Sequence, residues 1–128
     1  MFDNLMKLVQ EHAGDAIIKN NAIPNERNDE AVKETTNSIV NSLKGQTSGL
    51  SGGANLMSML QSGNASSLTK LVEGNVVGDL MKKFGVDSNQ AGEMVGKMLP
   101  GIMDKFVSKT NDPKDSSFDL GSIMSYLK

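Results

Sequence analysis

The sequence predicts an all-α fold, a compact multihelical bundle built from two similar halves. Apolar residues recur at spacings of three and four through most of the 128 residues, which is the period of a helix with one buried face. Aromatic residues make up only 4% and tryptophan is absent, so strand-forming side chains are scarce. Methionine numbers nine, and the core must therefore be filled by Leu, Val, Ile and Met.

The first half is expected to open with two helices. Residues 2–17 carry the first apolar face, and the stretch NNAIPN then breaks the pattern. Pro24 is placed in the first turn of a second helix, as proline often is, and Gly45 ends that helix. Its apolar face is thin because Thr35 and Thr36 lie in its middle. The two halves are therefore expected to differ in how much apolar surface they bury.

A flexible linker is predicted near residues 45–55, where Gly and Ser dominate the composition. The short helix that follows is expected to end at Gly63. Ser66 or Ser67 is expected to cap the next helix, which Gly85 ends.

The following helix begins at Asp87, whose carboxylate is expected to cap it while Gln90 reaches back in a capping box. A second flexible linker is predicted near residues 109–117, and FDLGSIMSYLK supplies a last short helix. The predicted buried face of the long helix comprises Ala91, Met94, Val95, Met98, Leu99, Ile102, Met103 and Phe106.

An internal repeat is predicted within a single domain spanning residues 1–128. Residues 1–64 and 65–128 show the same order of elements: a helix, a turn, a longer helix, a linker and a short helix. The apolar register agrees as well, because Val32 and Val95 stand 63 residues apart on matching faces. The two halves are therefore expected to be pseudo-equivalent.

The stretch MVGKMLPGIMDKF offers the first candidate interaction surface. Thioethers can bind Cu(I), and a methionine-lined groove could receive a partner helix, but methionine as an adaptable core residue is the favoured interpretation. Pro100 removes a backbone hydrogen bond within the helix, and a structural kink is favoured there over a hinge. The residues assigned to this surface are Met94, Met98, Met103, Gly92, Gly96 and Pro100.

The alternative function is DNA binding through a segment that resembles a helix-turn-helix, residues 76–99. The net charge of −2 and the eight lysines and eight carboxylates of the second half, which has no arginine, leave no net positive charge to neutralise phosphates. Nucleic acid is therefore not the expected partner. The residues assigned to the alternative are Lys82, Lys83, Asn89, Gln90 and Lys97.

No residue cluster indicates catalysis, a cofactor or a metal, so we expect no enzyme activity. Cysteine is absent, and His12 is the only histidine, which leaves a metal cluster or a catalytic triad without a second member. A lone histidine near a helix end is expected to be solvated or capping. Glu26, Glu30 and Glu34 are interpreted as a solvated helix edge.

No apolar stretch is long enough for a membrane span and no secretory signal is recognised, so a cytoplasmic location is expected.

The chain resembles the YidB-like family of small bacterial proteins through KKFGVDSNQAGEMVGKMLPGIMDKF and the terminal DSSFDLGSIMSYL. The resemblance implies a multihelical fold built from repeats, and it implies no activity and no catalytic residues. A first helix richer in charge and an acidic segment at residues 26–34 depart from the Gly- and Leu-rich family pattern. The predicted function is thus a non-enzymatic module that binds an unidentified protein or a second copy of itself.

Overall fold

A computed structural model describes residues 2–47, 53–115 and 118–127, and every regular element within these ranges is helical. This confirms the predicted all-α class. A π-helical turn, Gly14–Ile18, and a 3₁₀ turn, Asn25–Arg27, connect the first helix to the second. The helices are α1 (Phe2–His12), α2 (Asn28–Gly45), α3 (Ala54–Ser62), α4 (Ala65–Phe84), α5 (Ser88–Thr110) and α6 (Leu120–Leu127).

The predicted ends of three helices are confirmed. Gly63 and Gly85 follow α3 and α4 with φ angles of 75° and 68°, in the left-handed region that glycine adopts at little cost. Asp87 and Gln90 form the capping box of α5: the Gln90 N–H donates to Asp87 Oδ1 at 2.8 Å, and the Asp87 N–H donates to Gln90 Oε1 at 3.2 Å. The turn between α4 and α5 is thereby fixed at both ends.

The predicted first turns of two helices, α2 and α4, were wrong. α2 begins at Asn28 rather than in the turn that Pro24 opens, because residues 25–27 form a separate 3₁₀ turn. Asn64 caps α4 instead of Ser66 or Ser67, since its Oδ1 accepts the N–H of Ser67 at 3.2 Å. Asn is as good an N-cap as Ser.

The first helix is shorter than predicted. α1 ends at His12, and the chain turns through a π-helical segment in which the N–H of Ile18 donates to the carbonyl of Ala13 at 3.1 Å. Ala13, Ala16 and Ile17 are nevertheless buried. The apolar pattern therefore continues into the core although the α-helix itself does not.

The helices are arranged so that each half contacts the other. α4 packs along both α5 and α2, and α1 packs on α2 and α5. The short helices cross over: α3 lies on α4 and α5, whereas α6 lies on α2. All eight residues of the predicted inner face of α5 are buried, as are Ile123, Met124 and Leu127 of α6.

The two predicted linkers fall partly outside the described residues. For the first, residues 48–52 are not described. For the second, residues 116 and 117 are not described, α5 continues to Thr110, and Lys109 Nζ lies 3.1 Å from Asp115 Oδ2. Among the residues that are described, none of the helices combines the length and the apolar character needed to cross a bilayer.

Candidate interaction surfaces

The six residues assigned to the methionine surface do not share one face. Met94, Met98 and Met103 have no exposed surface and lie in the core with Leu99 and Ile102. Gly92, Gly96 and Pro100 lie on the opposite, exposed side of α5. In this conformation the three methionines therefore offer no groove to a partner, and the exposed part of the assignment is the row formed by Gly92, Gly96 and Pro100.

Pro100 lies within α5, which stays helical from Ser88 to Thr110. The carbonyl of Gly96, one turn earlier, loses the N–H it would otherwise bind. Because both residues are exposed, water can satisfy that carbonyl. Pro100 and Asp104 of α5 also line a cleft of about 320 Å³ together with residues of α4, namely Ser66, Thr69, Lys70 and Glu73.

The five residues assigned to DNA contacts are all exposed, and they fall in different places. Lys83 lines a cleft of about 270 Å³ with Glu30, Lys33, Glu34 and Asn37 of α2. Gln90 and Lys97 line a different cleft on α5, and Lys82 and Asn89 line neither. The segment 76–99 thus distributes its predicted contacts over separate surfaces, two of which also carry carboxylates.

The cleft on α5 measures about 470 Å³ and lies between the connection from α1 to α2 and the first turns of α5. Lys97 Nζ lies 3.2 Å from Glu93 Oε1, one helical turn away. Across the cleft, Asn20 Oδ1 accepts the N–H of Ala22 at 2.9 Å, which holds this connection in a compact turn. The residues that line the cleft are Lys19, Asn20, Asn21, Ala22, Gln90, Glu93 and Lys97.

The sequence pattern alone missed the contribution of residues 19–22 to this cleft. The pattern of this stretch indicates only a break between helices. A run of amide side chains before a proline is a turn signal, and it says nothing about which helix the turn will face. Only the packing of this turn against α5 brings Lys19 and Asn21 to the same cleft as Lys97.

His12 is neither fully solvated nor isolated. Its ring is half-buried at the end of α1, with Nδ1 2.8 Å from the carbonyl oxygen of Leu8. A Cβ atom placed on Gly101 would come within 2.7 Å of His12 Cδ2. The ring therefore fills the space that the absent side chain of Gly101 leaves between α1 and α5.

A partly buried polar seam joins α2 to α4, and the sequence did not predict it. Ser38 donates a hydrogen bond to the carboxylate of Asp79, and one turn away the amide nitrogen of Asn75 donates to Ser42 Oγ at 2.8 Å. Ser38 and Ser42 are buried. Because buried polar atoms are costly without partners, this seam fixes the register of α2 on α4.

The carboxylates predicted to form a solvated edge are divided between two elements. Glu26 belongs to the 3₁₀ turn, whereas Glu30 and Glu34 belong to α2. Glu30 Oε2 accepts from Arg27 at 3.2 Å, and the Arg27 guanidinium also stacks on the ring of Phe84, 4.6 Å from its centre. In the part of the chain that the structure describes, no three His, Asp or Glu side chains gather as a metal site would require.

Comparison with protein families, curated proteins and solved structures finds no match to this chain.

Proposed function

We propose that this chain is a non-enzymatic helical module that binds another protein or a second copy of itself. The observation that carries the proposal is the cleft of about 470 Å³ on α5, which presents ammonium, carboxylate and amide groups together. A surface with donors, acceptors and both charges complements a polypeptide, whose backbone and side chains offer the same mixture.

DNA binding through residues 76–99 stays the alternative, and the surface electrostatics favour a protein partner over it. Lys97 is paired with Glu93, and Lys83 shares its cleft with Glu30 and Glu34. A duplex needs several lysines or arginines that can each neutralise a phosphate. A titration with duplex DNA at low salt tests the alternative, which requires binding that a Lys82→Ala/Lys83→Ala variant loses.

We also propose that the two halves are a duplicated unit. The proposal is supported by the reciprocal packing of the short helices and by a pair of related hydrogen bonds. Asn111, just beyond α5, donates to the carbonyl of Leu60 in α3 at 2.8 Å. Thr47, 64 positions before Asn111 and just beyond α2, shares its hydroxyl proton between the carbonyl of Lys44 at 2.8 Å and the carbonyl of Leu127 in α6 at 3.1 Å. Each long helix thus holds the end of the other half's short helix.

Membership of the YidB-like family, a bacterial source and a cytoplasmic location stay predictions from the sequence. Subcellular fractionation of the native cells tests the location. Recovery of the chain in the membrane or secreted fraction would contradict it.

The first test of function is light scattering coupled to size exclusion over a wide concentration range. A mass that rises above 13.7 kDa with concentration indicates self-association, and a constant mass of 13.7 kDa leaves a different protein as the expected partner. The second test places the photo-crosslinking residue benzoylphenylalanine at Asn21, in the cleft, or at Ser108, an exposed control on α5. We expect a discrete crosslinked partner from position 21 only. Equal products from both positions, or none from either, would refute the proposal.

A further inference from the structure

We infer that two copies of this chain form a dimer by exchanging halves, so that α1, α2 and α3 of one copy pack on α4, α5 and α6 of the other. The interface of this dimer is the one that joins the two halves within a single chain. The inference rests on the self-association named in the proposed function, and it states how a second copy is bound.

The two halves share one core. α2 packs along α4, α1 packs on α5, α3 lies on α4 and α5, and α6 lies on α2. Beside these contacts, the Arg27 guanidinium of the first half covers the ring of Phe84 in the second half. An exchanged dimer keeps all these contacts and needs no new surface, which is why domain swapping is a low-cost route to a dimer.

The hinge of the exchange is the two-residue turn between α3 and α4. Gly63 lies in the left-handed region with a φ angle of 75°, and Asn64 caps α4. The chain passes from the first half to the second at this turn. A change of conformation at two residues is therefore enough to direct the first half onto another copy.

The backbone of this turn is suited to a continuous helix. The N–H groups of Gly63 and Asn64 now donate to the carbonyls of Leu60 and Met59 at 3.3 and 3.0 Å. In a helix that runs from α3 into α4 the two acceptors are exchanged, because each N–H binds the carbonyl four residues earlier. The N–H of Ser67, which Asn64 now accepts at 3.2 Å, would donate to the carbonyl of Gly63. The straightened turn therefore keeps its hydrogen bonds and relieves the left-handed conformation.

The polar seam between α2 and α4 makes the exchange specific. Ser38 and Ser42 belong to the first half, and their partners Asp79 and Asn75 belong to the second. Buried polar atoms are costly without partners. The first half therefore accepts a second half in this one register, whether that half comes from its own chain or from another copy.

Crosslinking of dimers refolded from urea at high protein concentration tests the exchange. The chain has no cysteine, so a bismaleimide joins only cysteines that are introduced. Lys33 of α2 and Lys83 of α4 line one cleft, and we expect a Lys33→Cys/Lys83→Cys dimer to be linked between chains on a denaturing gel. Lys70→Cys/Asp104→Cys is the matched control, because both positions line a cleft within the second half and should be linked within one chain.

Gly63→Ala tests the hinge. Alanine is strained at the φ angle of Gly63 and is a better helix former, so the straight hinge is favoured. Each dimer has two hinges, and a gain of about ten-fold at each should raise the dimerisation constant about 100-fold. Gly85→Ala is the control, since Gly85 has a φ angle of 68° in the turn between α4 and α5, which is the same in monomer and dimer. It should leave the dimerisation constant unchanged.

A dimer whose Lys33→Cys/Lys83→Cys link stays within one chain would overturn the exchange and leave self-association through another surface, and with it the proposed function, standing. Equal dimerisation of Gly63→Ala and Gly85→Ala would also overturn it. If Gly63→Ala does not fold, the crosslinking test with the natural hinge decides, and a lack of product between chains after refolding would reject the exchange. A discrete crosslink from position 21 to a different protein would then still support the proposed function.

Discussion

Gly101→Ala tests the close packing of α1 on α5. The new Cβ atom would lie 2.7 Å from Cδ2 and 3.0 Å from Nε2 of His12, whereas carbon atoms in contact prefer about 3.5–4.0 Å. The ring would have to retreat by about 0.8 Å to restore that spacing. Its Nδ1 atom is held 2.8 Å from the carbonyl of Leu8, so the retreat stretches a hydrogen bond.

The magnitude follows from two opposing contributions. Replacing a helical glycine with alanine stabilises by about 1 kcal/mol, and overpacking costs about 1–3 kcal/mol. Gly92→Ala isolates the first contribution, because Gly92 is exposed on the same helix and its Cβ would meet nothing within 4 Å. We therefore expect Gly101→Ala to be less stable than Gly92→Ala by about 1–3 kcal/mol.

Urea unfolding followed by far-UV circular dichroism measures this difference. In thermal unfolding, the gap should appear as about 4–12 °C in Tm for a chain of this size. A second substitution, His12→Ala, should restore much of the stability lost in Gly101→Ala, which a double-mutant cycle would reveal as coupling between the two sites. Equal stability of Gly101→Ala and Gly92→Ala would refute the reasoning.

Three further substitutions follow from the packing. Asn64→Ala should cost about 0.5–2 kcal/mol in urea unfolding because α4 loses its cap, whereas Ser66→Ala should cost almost nothing. Met98→Ala should cost about 2–5 kcal/mol as a cavity in the core, and an unchanged midpoint would mean that this side chain is not buried. Ser38→Ala removes the hydroxyl that donates to Asp79 and should cost about 1–3 kcal/mol; recovery in a Ser38→Ala/Asp79→Ala variant would support the seam.

The parts of the fold that could be predicted from the sequence depend on local chemistry. Gly63, Gly85 and the capping box at Asp87 were found because each involves residues within one turn of the helix end. The buried face of α5 was found because a period of 3.6 marks it without reference to any partner. The same local signals failed at Asn64, where a serine two positions later offered an equally good cap.

The candidate cleft could not be predicted because its walls are about 70 residues apart in the chain. Residues 19–22 and Lys97 have no shared pattern, and they meet only through the packing of the connection from α1 to α2 against α5. Likewise, the pairing of Ser38 with Asp79 spans 41 residues. In both cases a local sequence pattern cannot say which polar residues face each other.

Thr35 and Thr36 show why the apolar face of α2 was underestimated. Both are fully buried, and their hydroxyl groups donate to the carbonyls of Ala31 and Val32 at 2.8 Å. Because each hydroxyl is satisfied within its own helix, these threonines can be buried without leaving a polar atom unpaired. The buried face of α2 is therefore broader than its apolar pattern predicts.

The burial of these threonines changes the physical basis of the proposed association. If the first half had left apolar surface uncovered, a second copy could have covered it, and salt would have had little effect on binding. Since Thr35, Thr36 and the methionines of α5 are buried within one chain, the proposed association uses polar surface such as the cleft beside Lys97. Such contacts are screened by ions. We therefore expect a complex formed through this cleft to weaken as salt rises, and a complex that strengthens with salt would show that a different, apolar surface is used.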